Sequence, residues 1–190
     1  KKAFPKLKVI DELYNTVGHV DSNREFSEYI DMNVAINEEV RNCLISLGES
    51  ENRVQVITPG VDVDQFSRNN TSYRDAALKR PYKQFTFGFL GRLSPEKRPQ
   101  DFVLLAGQLS SCHFRIAGDG PFTPLIADEI IKQGISDRCH MEGCTNEPVG
   151  FLAGIDALVI TSEVEGLPVA LLEAMAVELP IIATSVGGIP

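Results

Sequence analysis

From Lys83 onward, short apolar, β-branched or aromatic runs alternate with amphipathic stretches, the pattern of successive strand–helix–strand units. The strand candidates are residues 85–90, 113–117, 138–141, 157–161 and 180–183. They are too continuously apolar to face water on one side, as befits strands of a parallel sheet covered on both faces. Between them, 99–109 places Phe102, Leu105, Ala106 and Leu109 at i, i+3, i+4 and i+7, which predicts a helix lying on the sheet. Residues 123–132 repeat the design, 147–153 make a shorter version, and 168–177 are so apolar that a buried helix is expected. Right-handed crossovers between such strands give an α/β, Rossmann-like, doubly wound parallel sheet.

Before Lys83 the periodicity is weaker. Residues 7–10, 33–36 and 54–57 read as strands, and 38–47 as a helix closed by Gly48. Pro59-Gly60 and the polar stretch 67–80 have linker composition, so three segments are expected: 1–58, a linker over 59–82, and 83–190. No internal repeat is present.

Composition narrows the function classes. With 43% hydrophobic and 23% charged residues the chain reads as a globular protein, and no apolar run approaches the roughly 20 residues that span a bilayer. A net charge of −8 with scattered Lys and Arg argues against nucleic acid as a partner, so an anionic ligand has to be held locally. Cys43, Cys112, Cys139 and Cys144 form no dense framework, which predicts free thiols in a reducing compartment. The spacing of Cys139, His140 and Cys144 fits no standard zinc ligand set, and Asp62-Val63-Asp64 sits in turn-rich sequence, so no metal site is expected. The chain opens on Lys1 without the apolar core of a secretory leader, and is read as part of a longer protein.

In open parallel sheets ligands bind beyond the carboxyl ends of the strands. Those positions here hold Gly91-Arg92, Gly118-Asp119-Gly120-Pro121, Glu142-Gly143, Ser162 to Gly166, and Ser185 to Gly188. Recurrent glycine allows close backbone approach, although strand–helix turns use glycine for purely structural reasons too. Arg92 and Lys97 suit a diphosphate: fixed cations stabilise charge that grows on a leaving phosphate. Pro168 fits the first turn of a helix, which leaves the amides of Gly166 and Leu167 open to an anion. Glu173 lies in the apolar window 171–176, where a carboxylate demands a partner such as a ribose diol.

Gly91-Arg92 with Glu96-Lys97, then residues 117–121, then Glu165 and Glu173 separated by seven residues, then 187–190, resemble in order the glycosyl transferases group 1 family, retaining enzymes of the GT-B type. Pro59-Gly60-Val61-Asp62 is similar to that family's hinge. The resemblance implies a truncated GT-B fold: residues 1–58 are the end of an acceptor-side domain, 59–82 a hinge, and 83–190 a donor-binding domain. It implies that Arg92 and Lys97 hold the diphosphate beside Gly91 and that Gly166, Leu167 and Pro168 form the phosphate turn. Glu165 would touch the sugar hydroxyls, with Glu163 as its rival. Glu173 would hold the ribose, and Glu142, Gly143 and Thr145 would lie near the base. The implied partners are a nucleoside-diphosphate sugar as donor substrate, with no other cofactor, and a sugar, lipid-linked or other acceptor. The implied location is the cytoplasm, peripheral to the membrane through an N-terminal half. A sugar-nucleotide epimerase or hydrolase on the same fold, or a noncatalytic sugar-nucleotide module, would share many of these residues.

Overall fold

A computed structural model describes residues 6–16, 18–80 and 82–190. It divides into two compact units. One holds the chain up to Pro59 together with Val164–Pro168 and Ser185–Pro190; the other holds Gly60–Glu163 and Val169–Thr184. Pro81, within the expected linker, lies outside the described residues.

The first unit is a parallel sheet of β1 (Ile10–Leu13), β2 (Met32–Ala35) and β3 (Val54–Val56), in that order, with α1 (His19–Glu25) and α2 (Glu38–Ser46) as connections. Leu13, Val20, Ala35, Val40 and Leu44 form its core. The first strand corrects the expectation of a strand at 7–10. Charged Asp11 and Glu12 hide it in the sequence, yet Asn23 donates to the Asp11 carboxylate at 2.6 Å and to the side chain of buried Asn33 at 2.7 Å, so the strand keeps its polar residue satisfied. A second polar cluster lies close by. Glu49, only 3% exposed, pairs with Arg24 at 2.7 Å and Arg53 at 3.3 Å. Burial alone would raise its carboxyl, but the Arg24 hydrogen bond, the Ser50 amide and both guanidinium charges hold it below its ordinary range.

The second unit has a five-stranded parallel sheet in the order β6-β5-β4-β7-β8. The strands are β4 (Thr86–Leu90), β5 (His113–Ala117), β6 (Cys139–Gly143), β7 (Ala157–Ile160) and β8 (Ile181–Ala183). The order reverses on either side of β4, creating a topological switch point at its carboxyl end. The crossovers carry α4 (Pro99–Gln108), α5 (Thr123–Lys132), α6 (Pro148–Ala153) and α7 (Val169–Ala176). Phe89, Phe102, Phe114, Ile116, Ile126 and Val159 lie at the centre of its core. The apolar stripe of α4 is rotated from the expected one: Phe102, Val103 and Ala106 are buried, whereas Leu109 is exposed at the helix end.

Two further differences have clear causes. Within the expected linker, Thr71–Leu78 forms α3, a helix with no buried residue that lies against α6 and is capped by the Asn70 side chain accepting from the Ser72 amide at 2.8 Å. The apolar 168–177 stretch is not a fully buried helix. Flanking the edge strand β8, α7 buries Leu171 and Ala174 but leaves Val169 51% and Met175 59% exposed, because a helix on a sheet edge covers one stripe only.

Candidate functional site

In the second unit, the loops after β4, β5 and β6 are sewn together by main-chain hydrogen bonds. The Gly91 amide donates to Ala117 O at 3.0 Å, the Gly118 amide to Gly143 O at 2.8 Å, and the Leu93 amide to Asp119 O at 2.9 Å. Glycine is required at this seam: a Cβ on Gly118 would lie 1.8 Å from Gly91 O, and one on Gly120 2.4 Å from Leu93 O. The loops therefore form a floor of backbone at the switch point. Gly91 and Gly143 belong to it, and Arg92 leaves it as an exposed cation.

Lys97 ends the short 3-10 turn Pro95–Lys97, which is fastened to the end of β7. Thr161 Oγ1 donates between the carbonyls of Lys97 and Arg98, 2.9 Å from each, and the Glu163 amide donates to Glu96 O at 2.8 Å. Buried Ser94 donates its hydroxyl to Glu96 at 2.6 Å. Burial would raise the Glu96 carboxyl, but this hydrogen bond, its own amide and the Lys97 and Arg92 charges bring it below the usual range, so the acid among these cations stays ionised. Ser94 and Thr161 were not singled out from the sequence; nothing in the local pattern marks a hydroxyl that braces a loop across the sheet. Glu163 faces Arg98 at 3.4 Å, and Arg98 itself holds a left-handed φ of 47°.

Glu142 is the extra residue of a bulge. Met141 pairs with Ile116 and Gly143 with Ala117, so Glu142 has no partner in the register and turns to Arg115, which grips it at 2.5 and 2.9 Å. Thr145 accepts the Glu147 amide at 3.1 Å, before α6. Glu173 projects from α7 and is half-buried, its side chain makes no hydrogen bond or ion pair to another described residue, and burial raises its carboxyl above the ordinary range. Cys139 is a core residue whose thiol burial pushes to about 12, and among the described residues no three His, Cys, Asp or Glu side chains cluster as metal ligands would.

The segment Val164–Pro168 belongs to the first unit. Gly166 is buried and Glu165 half-buried. The Gly166 carbonyl accepts from the Gly188 amide at 2.6 Å and from Asn37 Nδ2 at 2.9 Å, while Leu167 packs on the core around Val40 and Leu44. Pro168 immediately precedes the first helical residue rather than opening the helix. A Cβ on Gly166 would meet Tyr14 O at 1.9 Å, and one on Gly187, left-handed at φ 56°, would meet Glu165 O at 1.9 Å. Among the described residues, no acceptor takes the Leu167 N–H.

Residues 73–190 match the model of the family described as glycosyl transferases group 1, more than half of the chain. Over 167 residues the chain is 30% identical to D-inositol 3-phosphate glycosyltransferase of Mycolicibacterium smegmatis, a match covering 82% of this chain and 38% of that protein. It is 29% identical over 161 residues to the UDP-Gal:alpha-D-GlcNAc-diphosphoundecaprenol alpha-1,3-galactosyltransferase of Escherichia coli, covering 80% of this chain and 42% of that one. The chain thus spans about two fifths of the length of these curated relatives. Among solved structures, HepE of Anabaena in complex with UDP and glucose superposes with a TM-score of 0.82 at 19% identity, covering 95% of this chain and 54% of that one. S. aureus TarM superposes with a TM-score of 0.76 at 19% identity, covering 94% and 37%. The parallel α/β fold is thus of the GT-B type, and the chain belongs to the glycosyl transferases group 1 family.

Proposed function

We propose that this chain supplies the donor site of a retaining glycosyltransferase that uses a nucleoside-diphosphate sugar. The observation that carries the reading is Glu173: a half-buried carboxylate with a raised pKa and no protein partner among the described residues is an acceptor awaiting hydroxyl donors, and a ribose diol provides two. Arg92 and Lys97, at the carboxyl end of β4, face the charge that builds on the diphosphate as the bond from the sugar's anomeric carbon breaks. The Gly166 and Leu167 amides add neutral donors to phosphate, and Glu165 orients the sugar. The seven-residue spacing before Glu173, which follows the family's pattern, favours Glu165 over Glu163. Gly143 and Thr145 border the base, whereas Glu142 is held by Arg115 and acts through the loop's shape. The acceptor oxygen attaches to the face the diphosphate leaves as its hydroxyl proton passes to the departing phosphate oxygen, so configuration is retained, with no metal required.

Uracil is the first base to test, because one relative is named for a UDP-galactose donor and HepE was solved with UDP and with UDP-glucose. A sugar or lipid-linked acceptor at the cytoplasmic face of a membrane fits the same relative's diphosphoundecaprenol substrate. Calorimetric titration with UDP, GDP and ADP sugars, repeated on Arg92→Ala and Glu173→Ala, tests the site. Each variant is expected to lose about 10-fold or more in affinity, the worth of a charge-assisted hydrogen bond. Unchanged affinity in both would remove the assignment. Separating transferred product from hydrolysed and epimerised donor, and reading the product's anomeric configuration by NMR, distinguishes transfer with retention from the alternatives on this fold.

A further inference from the structure

We propose that Asn37 is a positioning residue for the donor loop, fixing the direction in which the Leu167 amide points; the inference rests on the donor-site reading above. Asn37 precedes α2, and its Oδ1 accepts from the Val40 amide at 2.9 Å as an N-cap. That cap decides the orientation of the side-chain amide, because with Oδ1 committed to Val40 only Nδ2 remains for the other side. Nδ2 donates to Gly166 O at 2.9 Å, across 129 positions of sequence. The Gly188 amide donates to the same oxygen at 2.6 Å.

The carbonyl of Gly166 and the N–H of Leu167 belong to one planar trans peptide, so they point in opposite directions. Two donors that pull Gly166 O toward α2 and Gly188 turn the Leu167 N–H away from them. The turn is closely packed, since any Cβ on Gly166 would strike Tyr14 O at 1.9 Å and Ile36 Cγ2 at 2.9 Å, and a Cβ on Gly188 would meet Gly166 O at 2.5 Å. Leu167 anchors the other end of the peptide in the core of the same unit. The N–H left without an acceptor among the described residues is the one assigned to donor phosphate, so its aim is set by the residue that caps α2. Asn37 itself touches no reacting atom in this scheme.

Substitutions can separate the two roles. Asn37→Ser and Asn37→Asp both keep an oxygen for the Val40 amide but supply no N–H to Gly166 O, whereas Asn37→Ala removes both interactions. In the ligand-free protein, Asn37→Ser is expected to speed amide exchange at Gly188 and Leu167 while leaving the thermal midpoint close to wild type. Titrated with UDP-glucose and UDP-galactose, Asn37→Ser and Asn37→Asp should bind whichever sugar nucleotide the wild type binds about 10-fold more weakly. Asn37→Ala should lose a similar factor and, unlike the other two, also lose thermal stability. If Asn37→Ser and Asn37→Asp bind as the wild type does and only Asn37→Ala weakens, in step with its stability, Asn37 is a helix cap and nothing more. If the wild type binds no nucleotide sugar, the donor-site reading fails and takes this role with it, a result distinct from wild-type binding unaffected by Asn37.

Discussion

Burial holds the Glu173 carboxyl above the value of 4.5 expected for a free glutamate, so the folded protein binds that proton more tightly than the unfolded chain does. The resulting stabilisation is complete below about pH 4.5 and is lost as pH rises through the folded-state value. Once ionised, the carboxylate is a cost to the fold. Glu173→Gln is therefore expected to have a higher urea midpoint than wild type at pH 7 and an equal one near pH 4, while binding nucleotide sugar more weakly. A lower midpoint at pH 7 would mean that the carboxylate has a stabilising partner. Stability yielded at one position for binding is the trade-off expected of a ligand site. The apolar window around Glu173 was legible in the sequence because hydrophobicity is a local property. The bond from Asn37 was not: its helix-cap chemistry can be read nearby, but its second partner is 129 residues away and is a backbone carbonyl, which any residue carries.

At the scale of elements, periodicity was a sound guide to the strands of the second unit's sheet. The strand His113–Ala117 and helix Thr123–Lys132 fall where the pattern puts them, since their apolar positions make the core that stabilises them. It failed for β1, whose Asp11 is satisfied by Asn23 from the next helix, and for α3, which buries no residue and owes its position to a cap and to α6. The glycines of the strand-end loops were visible as letters, but the reason for them was not. Gly118→Ala puts a methyl into Gly91 O, where only backbone can yield. A destabilisation of about 1–3 kcal/mol by chemical denaturation is expected, typical of overpacking, together with a fall in nucleotide-sugar affinity. A fully stable Gly118→Ala variant with wild-type affinity would show that the seam can open without consequence.

Considered as a whole molecule, the chain has two cores of different strength. The second unit is built on Phe102, Phe114, Ile116 and Ile126, all fully buried, and its central strands pair on both sides; the first has three short strands over smaller aliphatic residues. Amides of β4 and β5 should therefore exchange most slowly and those of β1 among the fastest, and urea unfolding should proceed in two steps with the first unit leading. Coincident transitions by all probes would contradict this. Sequence by itself determined the α/β class, the parallel strands of the second unit and the family, because each rests on local periodicity or on motif order along the chain. Only the tertiary structure decided which unit seats the Glu165–Pro168 turn, that Glu142 is claimed by Arg115 in a bulge, and that the Glu173 carboxylate has no partner among the described residues. Those outcomes depend on hydrogen-bond geometry and burial between residues far apart in sequence, which no local pattern encodes.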